Sequence, residues 1–256
     1  MLFGRPSSLE FPDIETVYDR FAALHLLSFE LGGRFLLHAL LDRDGVGLSM
    51  AANVSGLASL CMEPETFLAK QAVRAGVCDF LVNDLDEAVR ILKNEIRKQR
   101  AVSVALTGEP EIVLAEVIER GLQPEIVHLQ AEGSDLPGAE ILLERGARTL
   151  PTRHHSADSI AVHWSVAREP LRWLPLADSR AANVLDLRDR TTPWRKRWIE
   201  SSPRYLGRPF AAQRFLRMSS AEANSFFAAV QRDVESGEIQ VAVSVVRNGE
   251  EELVLS

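Results

Sequence analysis

The 256-residue chain has only two cysteines, Cys61 and Cys78, both within apolar runs. That excludes a disulfide framework and makes a reducing cytoplasm the expected location. No apolar run approaches the roughly 18 residues of a membrane span, so no membrane partner is expected. The opening segment MLFGRPSSLEF lacks a basic region followed by an apolar stretch, so no export signal is expected. Positive charge is in deficit, with 29 Lys and Arg against 36 Asp and Glu and a net charge of −7. A protein that coats nucleic acid with its whole surface is thereby disfavoured. There is no Gly-Lys-Ser/Thr phosphate loop, no Ser/His/Asp arrangement, no internal repeat and no low-complexity segment. What remains is an ordinary globular composition, 46% hydrophobic and 25% charged. The length fits one large domain, or one domain with a sizeable appendage.

Apolar residues recur at helical spacing from Pro12 to about Phe29, ahead of Gly32-Gly33. A strand–helix alternation follows. Strands are expected at 34–41, 56–62, 77–83, 101–106 and 124–129, with helices opening at Pro64, Asp84, Pro110 and near Gly138. The segment 42–50, DRDGVGLSM, reads as a glycine-containing connection. Short apolar strands between amphipathic helices imply an α/β fold, a doubly wound, mostly parallel Rossmann-like sheet. Beyond Thr152 the pattern becomes an irregular α+β region. Strands are expected at 159–166 and 184–187, Ser219 to Glu222 forms a capping box, and a terminal hairpin turns at Asn248-Gly249. The expected organisation is an N-terminal helical segment 1–33, a Rossmann-like domain 34–150 and a C-terminal α+β region 151–256.

Such sheets bind ligands at the carboxyl ends of their strands, near a switch in strand order. Gly45, Gly47 and Ser49 follow the first strand, where glycines let backbone amides approach a phosphate. Met50 stands where a third glycine is usual, and Asp42 and Asp44 would repel a pyrophosphate, so an ordinary tight turn is the simpler reading. Glu63 ends the second strand, 18 positions after Gly45, and suits either a ribose-binding acid or the lead-in to the helix at Pro64. His128 closes the fifth strand, placed to face a ligand. His38 reads as a core histidine bonded to backbone, and Cys78 as core packing.

Residues 33–130 resemble the nucleotide-binding domain of urocanase, the urocanate hydratase of histidine breakdown. The likeness rests on Asp84–Arg90 (DLDEAVR), Val104–Leu114 (VALTGEPEIVL) and Val117–Val127 (VIERGLQPEIV), in the family's order and spacing. The resemblance implies NAD as cofactor, used as an electrophile that takes the imidazole-bearing substrate onto its nicotinamide ring. It carries over to Gly45, Glu63, Gly108, Glu109 and Gln130 as cofactor-site positions. The family's glycine run is Asp42–Ser49 here, its Asn-Ala pair is Glu109-Pro110, and its ribose-binding acid falls on Glu63 or Cys61 depending on the reference point. Within the family's Thr-Asp-Gln loop, placed at 128–136, only Gln130 and Asp135 match. The expectation is therefore a urocanase-related, lyase-related protein without urocanate hydratase activity that binds NAD or another nucleotide at the carboxyl edge. The competing reading is a non-catalytic binding or assembly module that keeps only the fold.

Two further features stand out. His154, His155, Asp158 and His163 cluster in sequence, but adjacent histidines point apart and no metal site is expected. Segment 186–217 holds nine bases against three acids, +6 on a remainder of −13, interleaved with Trp194, Trp198, Tyr205, Phe210 and Phe215. Arginine with aromatics suits protein interfaces as well as nucleotide phosphates. A homo-oligomer is the expected partner, and nucleic acid is not expected.

Overall fold

A computed structural model describes residues 8–28, 30–131, 134–151 and 159–254. The chain divides into two compact units, 1–153 and 154–256. No helix among the described residues is long and apolar enough to cross a membrane.

The first unit is a mixed α/β body built on a six-stranded parallel sheet. Its strands are β1 (Phe35–Ala39), β2 (Ala58–Glu63), β3 (Phe80–Val82), β4 (Val102–Thr107), β5 (Ile126–His128) and, after a small two-stranded pair β6 (Gln130–Ala131) and β7 (Ser134–Asp135), β8 (Arg148–Thr149). The order is β3-β4-β2-β1-β5-β8. To one side of β1 the chain runs through β2 to the edge strand β3 and then back to β4 between them, and afterwards crosses to the other side through β5 and β8. The switch in strand order therefore lies between β1 and β5. Helices α1 (Ile14–Leu27), α2 (Arg43–Ser55), α3 (Thr66–Ala75), α4 (Leu85–Arg97), α5 (Pro110–Glu119) and α6 (Ala139–Glu144) complete the unit.

Alternation along the strands decides the two faces of the sheet. One face is a continuous apolar core of Leu37, Leu60, Val104 and Val127 against Leu92 of α4, Leu114 of α5 and Leu142 of α6. Each such side chain contributes roughly 1.5–3 kcal/mol on burial. The other face carries smaller and polar residues. Ser49 of α2 meets His38, and Asn53 of α2 donates to Ser103 Oγ at 3.1 Å. The expected glycine-containing connection at 42–50 is in fact the start of α2. Asp42 caps this helix by accepting from the Gly45 amide at 2.8 Å, a role available to aspartate without any loop.

The second unit contains a four-stranded antiparallel sheet, β10-β9-β11-β12, from β9 (Ser159–Val166), β10 (Gln213–Ser219), β11 (Val243–Arg247) and β12 (Glu250–Val254). Its helices are α7 (Pro170–Asn183), α8 (Thr192–Tyr205) and α9 (Ser220–Glu235). The capping box at Ser219/Glu222 and the Asn248-Gly249 turn form as the sequence implies. The expected strand at 184–187 does not form: Val184 is the C-cap of α7 and Leu185 is buried in the turn that follows.

Most of the aromatic side chains in 186–217 are core. Trp198 and Phe215 are essentially inaccessible, Trp194 and Phe210 are buried, and Trp198 donates its indole N–H to the Phe215 carbonyl at 2.7 Å. Two arginines are consumed internally. Buried Arg195 meets Glu222 at 2.8 and 3.0 Å and Asp189 at 2.8 Å, while Arg214 meets Asp178 at 3.1 Å. Trp164 also donates to Asp178, at 2.8 Å.

Candidate functional site

The carboxyl ends of β1 and β5 border the switch point, and the chain's own side chains converge there. His38 and His128 are in-register partners on β1 and β5, so both side chains rise on the same face. His38 is completely buried, as expected of a core histidine, and its Nε2 lies 3.1 Å from the Ser49 hydroxyl. Burial, with His128 alongside, pushes its pKa down to about 3, so the ring is neutral at physiological pH. His128 Nε2 sits 3.0 Å from Asp44 Oδ2, and Arg20 of α1 reaches Asp44 Oδ1 at 2.8 Å. Burial acts to raise the Asp44 pKa, but the bonds from His128 and Arg20 outweigh it and hold the carboxyl at about 2. The crevice between β1 and β5 thus contains an Arg20–Asp44–His128 chain above the Ser49–His38 pair.

Two backbone amides of the β1–α2 turn, those of Leu41 and Gly45, have side-chain partners. Glu63, 2% exposed, accepts from the Leu41 amide at 2.6 Å and from the Glu65 amide at 2.8 Å. Asp42 accepts from Gly45. Leu40 adopts a left-handed φ of +62°, held by its amide bond to the Met62 carbonyl at 2.9 Å and by the Cys61 thiol against its own carbonyl at 3.3 Å. The turn is so sharp that a Cβ on Gly45 would lie 2.0 Å from the Leu40 carbonyl oxygen. This glycine serves the chain's own packing. A Cβ on Gly47 would meet Pro12, 3.1 Å away, so the place where a Rossmann glycine normally lets a pyrophosphate approach is covered by the segment leading into α1.

The other sequence candidates distribute as follows. Ser49 is fully buried on α2. Gly108 donates its amide to the Glu63 carbonyl at 3.2 Å, and a Cβ there would press on Val113 at 2.8 Å. Glu109 is exposed at the N-cap of α5. Gln130 is exposed on β6, paired with Asp135 of β7. Gly45, Ser49, Glu63 and His128 belong to one packed cluster, whereas Glu109 and Gln130 stand on its periphery. Asp44 and Arg20 were the chemically important residues least visible in the sequence. Their 24-residue separation gives no local signal, and the contact exists only because α1 lies along α2.

Both thiols are protonated at neutral pH. Burial, with Cys78, Glu63 and Asp42 nearby, pushes Cys61 well above its ordinary value. Burial and Asp79 push Cys78 to about 12. Among the described residues no group of three or more His, Cys, Asp or Glu could hold a metal ion. His154, His155 and Asp158 lie outside the described residues, and His163 packs edge-on against Phe215. Two surface grooves lie elsewhere. One, of about 360 Å³ between Phe35, Ile96 and Leu122, is at the amino-terminal end of the sheet. The other, of about 670 Å³ between Phe80, Ile91 and Val102, flanks the edge strand β3.

The residues present do not fit a dinucleotide pyrophosphate. Two amides at the start of α2, those of Leu41 and Gly45, are taken by Glu63 and Asp42, and the approach over Gly47 is filled by Pro12. The ancestry of the fold is nevertheless clear. Residues 14–135 match the family model described as the urocanase Rossmann-like domain, a domain that binds NAD in that family. The match runs from the first residue of α1 to β7. The first unit thus carries a stretch, residues 14–135, that matches the urocanase Rossmann-like domain, and its parallel sheet flanked by helices is consistent with a Rossmann-like fold.

Proposed function

We propose that this chain is a urocanase-related Rossmann-like protein without urocanate hydratase activity, acting as a non-catalytic binding or assembly module. The observation that supports this most is the occupation of the β1–α2 amides by Glu63 and Asp42. Releasing those amides for a phosphate would set the Glu63 and Asp42 carboxylates against it. Nicotinamide chemistry also needs the ring held in reactive geometry, which depends on an anchored pyrophosphate.

The family match favours a second reading, in which NAD or another nucleotide still binds across Gly45–Ser49, Glu63 and Gly108–Glu109. Isothermal titration with NAD⁺ to millimolar concentration, together with the ultraviolet absorbance of urocanate in the presence of NAD⁺, separates the two. No saturable heat and no enzyme-dependent loss of absorbance are expected. Saturable NAD⁺ binding abolished by Gly47→Trp would favour the second reading and overturn the first.

A further inference from the structure

The amino-terminal end of the parallel sheet leaves its apolar core incompletely covered. Helices α4 and α5 both close there, at Lys98 and Arg120, and Gly121 follows α5 with a left-handed φ of +66°. A Cβ on Gly121 would meet nothing within 4 Å, so the chain turns without filling the space beside it. The result is a groove of about 360 Å³ whose floor is Phe35 of β1, Leu92 and Ile96 of α4, and Leu122. Phe35 and Leu92 are buried, whereas Ile96 and Leu122 are only partly so. A volume of this size lies in the range of small-molecule sites.

One carboxylate at this groove is held in place. The Glu125 amide donates to the Phe35 carbonyl at 3.0 Å, and Glu125 Oε2 accepts from the Phe35 amide at 2.7 Å. This double contact joins the starts of β1 and β5 and fixes the carboxylate at the rim. Glu125 forms no ion pair among the described residues, and the neighbouring Arg34 turns to the Glu30 carbonyl at 2.6 Å. Lys93 of α4, exposed, lines the same groove and likewise forms no ion pair among the described residues. Arg120 lines it too, but Asp86 and Glu116 neutralise its charge. The carbonyl ends of α4 and α5 add negative potential on this side of the sheet, which favours an ammonium group near Glu125.

We propose that this groove binds a free amino acid with a large apolar side chain. The α-ammonium pairs with Glu125, the α-carboxylate pairs with Lys93, and the side chain lies on Phe35, Ile96 and Leu122. The three features select this class together. A simple amine leaves Lys93 unused, a simple carboxylate meets Glu125 with the wrong sign, and a sugar leaves the apolar floor uncovered. Both charges stand close to water and the floor is small, so the dissociation constant is on the order of 1 mM. The groove lies at the opposite end of the sheet from the β1–α2 turn, so the assignment is independent of any nucleotide at the carboxyl edge.

Saturation-transfer NMR titrations of the full chain, to about 10 mM of each probe, test this. The probes are L-phenylalanine, phenethylamine, which keeps only the ammonium, 3-phenylpropionate, which keeps only the carboxylate, and L-alanine, which lacks the apolar side chain. The variants are E125Q, which retains an acceptor for the Phe35 amide, and K93Q. Circular dichroism establishes that each folds, and because Lys93 is exposed, K93Q tests the site even where E125Q does not fold. L-Phenylalanine should saturate with wild type and bind about fivefold or more weakly to each variant. Phenethylamine should weaken only in E125Q and 3-phenylpropionate only in K93Q, and L-alanine should not saturate. No saturable binding of L-phenylalanine, binding left unchanged by both variants, or 3-phenylpropionate binding more tightly than L-phenylalanine would each overturn the proposal. Displacement of L-phenylalanine by NAD⁺ would overturn it as well, since the two candidate sites lie at opposite ends of the sheet.

Discussion

His38 makes the folding stability of the first unit depend on pH in a way that can be worked out in advance. In the folded chain the ring stays neutral down to about pH 3, because burial beneath α2 and the adjacent His128 disfavour a charge. In the unfolded chain it takes up a proton near its ordinary value of 6.5. Below pH 6.5 the unfolded state therefore binds more protons, and stability falls as pH drops from 6.5 toward 3. Between pH 7.5 and 5.0 the linkage relation gives a loss of about 2 kcal/mol from this one residue. The figure barely changes if the folded value is a unit higher, since pH 5 lies above either.

Replacing His38 by Gln retains a partner for the Ser49 hydroxyl and removes the titration. Urea unfolding at the two pH values should show wild type losing about 2 kcal/mol more than the variant, whatever the variant's packing cost at pH 7.5. All four tryptophans, Trp164, Trp173, Trp194 and Trp198, lie in the second unit, so their fluorescence reports that unit while circular dichroism follows the whole chain. The pH effect should thus appear in the dichroism transition of the first unit and leave the fluorescence transition alone. Equal losses in wild type and variant would show that His38 is not desolvated as described, and the reasoning about the crevice would fail with it.

The remaining predictions concern packing. Gly45→Ala places a methyl group 2.0 Å from the Leu40 carbonyl oxygen, which the backbone must move to relieve. It should destabilise the first unit by about 3 kcal/mol or more in chemical denaturation, whereas Gly47→Ala, which meets only Pro12, should cost under about 1.5 kcal/mol. Trp198→Ala leaves a cavity and an unpaired Phe215 carbonyl, and should lower the fluorescence-monitored stability by about 3–5 kcal/mol with little dependence on salt. Glu222→Gln leaves the buried Arg195 charge without its bidentate partner and should cost about 3–5 kcal/mol, read in the same assay.

The sequence by itself determined the parallel sheet and the helices around it. Short apolar runs, acids in the first turns, and glycines or bases at helix ends are local signals, and the chain follows them in α1 and from α3 to α6. It also determined that 186–217 would be unusual, since arginine and tryptophan at that density are legible without coordinates. Residues 42–50 were misread because Asp42, Gly45 and Gly47 look like loop residues. Only the tertiary fold shows that Gly45 is needed for a backbone approach and that Asp42 is a cap. Segment 184–187 was misread for a related reason: four residues cannot distinguish a strand from a helix cap and turn in which Leu185 is buried and Leu187 exposed. The state of the candidate site was decided only in three dimensions. Glu63 could have been a ribose ligand until its carboxylate was seen on the Leu41 and Glu65 amides, and Asp44 could have been a lone repulsive charge until Arg20 and His128 were seen around it. Hydrogen-bond saturation is a property of atoms brought together from separate elements. Spacing along a chain can nominate the residues that surround a crevice, but packing decides whether their groups face a ligand or one another.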